Sequence, residues 1–377
     1  MTRRATRRSV LAALAGGVTT LAGCGYRPGG GEFRWSTGVF HGVDGMYLDG
    51  GTVLAVTREA MTFDFGSERW YEGGSVTALD PERGQRTGEY GVGTPASAAA
   101  RGSGFVYVGT TDGTVTAVPI EPDPRDFGGE GRGTVTPEPE GWTTDPGIAP
   151  SRVETVTVGE SVYAGGADGL AALSTDGSVR WRWEDGTIVG AISGVDETAV
   201  YALATDRLVA LAGDGTVRWT HDVTTERAGS EPVTPAVGPD GVYLADTTGL
   251  TALAHDGAVR WERDVGDPAA GAALSGRGVH HVSTDGTVRS FSTGGRERWA
   301  HDPRGRTGSG IDAAGERAYV LAGESLVAVG PEGTAWRVPL DGGEEPFTPE
   351  FGPFVAGRTL VLGGSGEVRG YWRSQLR

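Results

Sequence analysis

Few residues in this 377-residue chain have the types and spacings that chemistry needs. His280 and His281 are its only adjacent histidines. Neighbours on a β-strand point to opposite faces, so the pair is badly placed to chelate a metal. His280 also stands where other copies of an internal repeat carry Tyr, which reads as packing. Cys24 is the only cysteine, so neither an internal disulfide nor a cysteine metal cluster can form. No Gly-x-Ser-x-Gly or His-Glu-x-x-His signature supports hydrolysis, and no Asp-rich loop of the EF-hand type supports calcium. Glu121, Asp123, Asp126, Glu130, Glu138 and Glu140 gather in one Pro- and Gly-rich stretch that ends near Trp142. That stretch is either a hydrated loop or a contact for a cation or a basic partner, with Trp142 as its aromatic anchor. Trp142, Glu138 and Glu140 are accordingly the candidate partner-binding residues. No catalytic, metal or cofactor-binding residue is predicted.

The one reactive side chain with a clear context is Cys24. Arg7 and Arg8 precede an apolar stretch from Val10 to Leu21. This stretch is shorter than the roughly 20 residues a bilayer span needs and fits the hydrophobic region of a signal peptide. Paired arginines in that place resemble a twin-arginine export signal. Leu21-Ala22-Gly23-Cys24 resembles a lipobox, which implies cleavage before Cys24 and a lipid on its thiol. Residues 1–23 are therefore expected to be the leader. Residues 24–31 would form a short Gly-rich tether, and residues 32–377 a body held outside the cytoplasm on the cell membrane.

Internal repetition supplies the elements that position everything else. Val162-Tyr163 through Trp181, Val200-Tyr201 through Trp219 and Val242-Tyr243 through Trp261 share one pattern. It runs as an apolar strand, a tight turn, a strand with Ala-Leu, an Asp-Gly turn, then Val-Arg-Trp. Asp-Gly between alternating strands favours a two-residue hairpin, because glycine tolerates positive φ. Weaker copies run from Gly278 to Trp299 and from Ala318 to Trp336. The Trp-to-Trp period of about 37–42 residues suits a four-stranded propeller blade. Small residues before each copy, as at 190–194 and 269–273, suit an innermost strand crowded at the axis. Leading strands at Tyr47, Tyr107, Tyr163, Tyr201, Tyr243, His280, Tyr319 and Leu360 give eight blades. The last blade lacks its outer strand. Gly31-Glu32-Phe33-Arg34-Trp35 matches Gly177-Ser178-Val179-Arg180-Trp181 position for position and is expected to complete it. The fold class is thus all-β: an eight-bladed β-propeller of four-stranded antiparallel blades, closed by the N-terminal strand. Insertions near 58–73 and 119–150 depart from the repeat. The recurrent tryptophans read as packing between blades.

Ala-Leu, then Asp-Gly, then Val-Arg-Trp resembles the PQQ-like propeller repeat. That family includes quinoprotein dehydrogenases as well as non-catalytic lipoproteins and sensor domains, so the fold alone assigns no activity. The dehydrogenases of the family use a vicinal cysteine pair and a calcium site with Asn, and this sequence has one cysteine and no asparagine. The resemblance therefore implies the non-catalytic branch, with no cofactor.

All 33 basic residues are arginine against 49 acidic ones, and the net charge is −16. Removing the four arginines of the leader leaves −20. Such a charge excludes nucleic acid as the main partner and resembles proteins of extreme halophiles. The expected function is a membrane-anchored, monomeric scaffold for a protein or an extracellular polymer. A dehydrogenase-like enzyme with a degenerate quinone site and a sensor subunit of a membrane complex stay open as alternatives.

Overall fold

The computed structural model describes residues 30–64, 69–120, 141–190, 199–223, 235–247, 249–266, 271–305, 307–340, 347–364 and 366–374, with backbone alone at 62–64, 69–72 and 307–309. Among them all regular structure is β, and the strands form eight antiparallel sheets, seven of four strands and one of three. The sheets are the blades of an eight-bladed propeller, numbered here in chain order from Gly45. In the fourth blade the second, third and outer strands are Val200–Leu203, Arg207–Leu211 and Val217–Asp222. Most of the inner strand expected near 190–194 lies outside the described residues.

Blade 3 shows why this sequence makes such a sheet. Its strands run Val153–Val158, Val162–Gly166, Gly169–Leu173 and Val179–Trp183 from axis to rim. The second and third are buried at every position. Both faces of those strands are covered by neighbouring blades, which is why they read as continuous apolar runs without polar alternation. The outer strand alternates, because only one of its faces meets a neighbour.

Blade 8 combines Pro349–Ala356, Thr359–Gly364 and Glu367–Trp372 with the N-terminal strand Phe33–Gly38 as its rim. Phe33 pairs with Tyr371 and Gly38 with Glu367. The N-terminal strand closes the ring as expected, and closure removes the free edge that the last sheet would otherwise present.

Three details differ from the sequence expectation. Tyr47 lies on the inner strand Gly45–Asp49 of blade 1, and Leu54, its cross-strand partner, takes the second-strand place that Tyr holds elsewhere. The outer strand of that blade has Gly88 opposite Ala78 where other blades have Trp, so no tyrosine is needed to pack on it. The insertion near 58–73 continues the second and third strands, Thr52–Asp64 and Arg69–Leu79, as a two-stranded ribbon paired from Ala60↔Gly73 to Asp64↔Arg69. The insertion near 119–150 is shorter than its expected bounds. Val115–Pro119 is the third strand of blade 2, Trp142–Thr144 is its outer strand, and Ile148 and Ala149 are core.

The up-and-down order gives the ring two faces. The lower face is the end where Gly31 joins blade 8, and it carries the inner-to-second and third-to-outer turns. The upper face carries the second-to-third turns and the links between blades. The ribbon therefore leaves from the upper face, and residues 120–141 connect strands at the lower one.

Candidate functional site

The Val-Arg-Trp and Asp-Gly signatures meet across every regular seam. Each Trp sits on the rim strand of one blade and lies on the turn glycine of the next. Trp181 Nε1 donates to Gly213 O at 2.8 Å, Trp219 to His255 O at 2.9 Å and Trp261 to Thr293 O at 2.9 Å. The glycines beneath, Gly215, Gly257 and Gly295, have φ of +86°, +88° and +80°, and an added Cβ would come within 2.6–2.7 Å of the indole above. Positive φ and close approach together require glycine there. Trp35 repeats the arrangement at the ring closure, with Nε1 bonded to Pro81 O at 3.0 Å and Gly84 beneath.

Trp142 belongs to the same series. It stands opposite Ala117 on the rim of blade 2, packs on Tyr107 at 5.9 Å, donates to Thr175 O at 2.8 Å and covers Gly177. Its place is therefore that of a blade tryptophan, half-buried and engaged, and the sequence signal for this was its 39-residue distance from Trp181, inside the Trp-to-Trp period. Glu138 and Glu140 lie outside the described residues, as do Cys24, Arg7 and Arg8.

The arginines before the tryptophans point away from them and tie down turns of their own blade. Arg180 bonds Ser161 Oγ, Arg260 bonds Asp240 O, and Arg298 bonds Arg277 O at 2.6 Å. Arg34 bonds Thr359, pairs with Glu82 of blade 1 at 2.8 Å and lies 4.0 Å over the Trp372 ring.

His280 and His281 are fully buried on opposite faces of one strand. His280 packs on Trp299 at 5.7 Å, as Tyr163 packs on Trp181 at 6.0 Å. Burial, with a smaller effect of Arg298, lowers the His280 pKa to about 4; burial, with Arg289, does the same for His281. Both imidazoles are neutral at physiological pH. Among the described residues no group of three or more His, Cys, Asp or Glu is placed to hold a metal.

Among the described residues, the features that do not build blades lie on the upper face. Phe40, in the link from blade 8 to blade 1, is 72% exposed, and Met61, at the base of the ribbon, is 51% exposed. His41 and Gly42 hold the Phe40 link in positive φ. The link is tied to the ribbon strand through Thr57 Oγ1 to Gly42 O at 2.7 Å and Arg58 N to Asp44 Oδ2 at 2.7 Å. Beyond Thr57 and Gly73 the two ribbon strands pair only with each other among the described residues. Farther round the same face, an open cleft of about 550 Å³ is lined by Gly147, Ala167, Asp168, Glu184, Gly186 and Thr187. Phe40 carries no repeat signature, so its exposure was not legible in the sequence.

Comparison with known proteins gives the fold a context. The family described as "Outer membrane protein assembly factor BamB", a PQQ-like repeat family, matches residues 135–283. No protein of curated function matches the chain. Among solved structures, BamB from Moraxella catarrhalis is similar over 90% of this chain and 97% of its own, at 16% identity and a TM-score of 0.64. The computationally designed Ika8 protein is similar over 91% of this chain and 100% of its own, at 16% identity and a TM-score of 0.60. Blades docked through Trp and turn glycine identify the chain as an eight-bladed β-propeller, with the PQQ-like family matched over residues 135–283.

Proposed function

We propose that this protein is an exported lipoprotein, held at the cell membrane through Cys24, whose propeller is a scaffold for another protein. The observation that carries this reading is the ribbon 57–64 and 69–73. Its strand edges have no further partner among the described residues, it carries the exposed Met61, and it is tied at its base to the link that bears the exposed Phe40. A blade needs none of this, since the seven other blades join the same two strands by short turns. Unpaired edges and exposed apolar side chains are the surface on which partner chains dock. The name of the matching family, an assembly factor for outer membrane proteins, supports a protein partner. Leu21-Ala22-Gly23-Cys24 supports the anchor. The acidic segment 121–140, with Glu138 and Glu140, forms a second contact in this reading.

The test is cross-linking and capture from intact membranes with two variants. One replaces residues 60–72 by a Gly-Ser turn and leaves the blade pairs Val53↔Leu79 to Val56↔Val76 intact. The other replaces 121–140 and spares the rim strand at Trp142. Loss of the captured protein with the first variant, while the melting temperature is kept, is the expected result. A ribbonless ring that retains every partner refutes the assignment to the ribbon.

A further inference from the structure

Six blades set an aromatic ring of the second strand against the rim tryptophan. In five it is tyrosine, at 107, 163, 201, 243 and 319, and in blade 6 it is His280. The substitution falls at the seam where the tryptophan docking also fails. Trp299 has no acceptor for its indole N–H among the described residues. Gly333, in the facing turn of blade 7, has nothing within 4 Å of an added Cβ. In place of that dock, Ser275 Oγ lies 2.7 Å from Gly315 O of blade 7 and 3.0 Å from His280 Nε2. A hydroxyl has one hydrogen to give. Ser275 gives it to Gly315, so it accepts from His280 Nε2–H, and this fixes the neutral tautomer with Nδ1 bare. Among the described residues His280 Nδ1 is buried without a partner.

A proton added to the ring must go to Nδ1, where no described residue offers an acceptor. The strand face of His280, shared with Val282, meets Ala318, Val320, Ala322, Val327 and Val329 of blade 7. The charged and titratable groups near the seam are Arg298 of the same blade, which opposes a second positive charge, Glu316 of blade 7, and His301 of the rim strand, which stacks on Trp299 at 5.9 Å and has Nε2 3.1 Å from Pro331 O of blade 7. Glu316 is already bonded to Arg298 at 2.8 Å. His281 lies on the other face with Val279, toward Tyr243, Ala245 and Leu250 of blade 5, and both its ring nitrogens lack partners among the described residues. Arg289 and Asp285 are the charges acting on it.

We propose that blade 6 is an acid-sensitive element of the ring, whose seam with blade 7 opens when His280 takes a proton at Nδ1. Neutral imidazole completes the His280–Ser275–Gly315 relay across the seam. Imidazolium places a buried, unpaired N–H among apolar side chains and beside Arg298, which favours separation of the blades.

The experiment is hydrogen exchange of the full chain between pH 7 and pH 4, corrected for intrinsic rates and at constant salt. Peptides covering 278–291 and 317–330 should lose protection by roughly 10²-fold as pH falls through the window between an ordinary histidine and a buried one. Peptides covering 105–119 and 162–173 should not. His280→Tyr restores the residue of the other blades. His280→Gln keeps a donor toward Ser275 without titrating, and serves if the tyrosine variant folds poorly. Both should abolish the local loss. The proposal is overturned if these variants open in acid like the wild type, if all blades lose protection together, or if His281→Val alone abolishes the effect.

Discussion

Gly31 provides a sharp test of how the ring is closed. The sequence reads it both as the end of a tether and as the first residue of the closing-strand match, and the structure builds it into the seam between blades 7 and 8. Its φ is +86°, its N–H donates to Trp372 O at 2.6 Å, and an added Cβ would lie 2.5 Å from Val338 Cγ2 and 2.7 Å from Trp336 Cε3. It does under Trp336 what Gly215 does under Trp181. Gly31→Ala would place a side chain in the left-handed region, at about 1–2 kcal/mol, and overpack a filled contact at about 1–3 kcal/mol. The expected loss is therefore about 2–5 kcal/mol. With an unfolding entropy of about 2.1 cal/mol/K per residue, a ring of roughly 340 residues shifts its midpoint by about 1.4 °C per kcal/mol. Thermal unfolding followed by tryptophan fluorescence in matched salt should show Tm falling by roughly 3–7 °C. Gly25→Ala, ahead of the described residues, serves as the comparison and should leave Tm in place. Equal melting of Gly31→Ala and wild type would refute the claim that Gly31 is a ring residue.

Trp181→Phe removes the bond to Gly213 O and should cost about 0.5–1.5 kcal/mol more than Trp299→Phe, whose indole N–H has no partner among the described residues; urea unfolding of the two variants measures this. Because burial holds His280 and His281 at about 4 in the folded chain, below the ordinary histidine value of 6.5, the unfolded chain binds more protons below pH 6.5. Stability from each imidazole is complete above pH 6.5 and is lost as pH falls toward 4, by about 3 kcal/mol per group. The double variant His280→Tyr/His281→Val should flatten that limb in urea unfolding at each pH. Under the proposed lipidation, Cys24→Ala should release the protein from membranes or stall its processing, which fractionation and mass of the mature chain will show.

The ring was legible because its signatures are coupled. Tyr163, Ala172 and Trp181 face one another on three adjacent strands of blade 3, and Trp181 then needs Gly215 in blade 4. A repeat of this kind writes both the sheet and the packing of sheets into one period, so counting the period counts the blades. The same coupling exposes where the reading went astray. Tyr47 has the residue type of the signature without a rim tryptophan to meet, and it belongs to the inner strand. Trp142 was read from its acidic sequence neighbours, although it stands 39 residues before Trp181, inside the Trp-to-Trp period. Phe40, Met61 and the ribbon carry no period at all, and their exposure follows from the path of the chain around blade 1.

The seams are therefore not equivalent, and their differences are the informative part of the molecule. From blade 2 to blade 6, each seam is held by an indole bond and a stacked turn glycine, and the one between blades 8 and 1 adds the Arg34–Glu82 pair. Between blades 7 and 8 the chain break removes the usual turn, and Gly30 and Gly31 fill its place under Trp336. Folding of the ring is thus coupled to the residues that immediately follow Cys24. If Cys24 carries lipid, five residues separate it from Gly30, which reach at most about 20 Å when extended. The blade 8 edge of the lower face would then sit nearest the membrane surface. The ribbon, Phe40 and Met61, on the upper face, would point away from the membrane toward a partner arriving from outside.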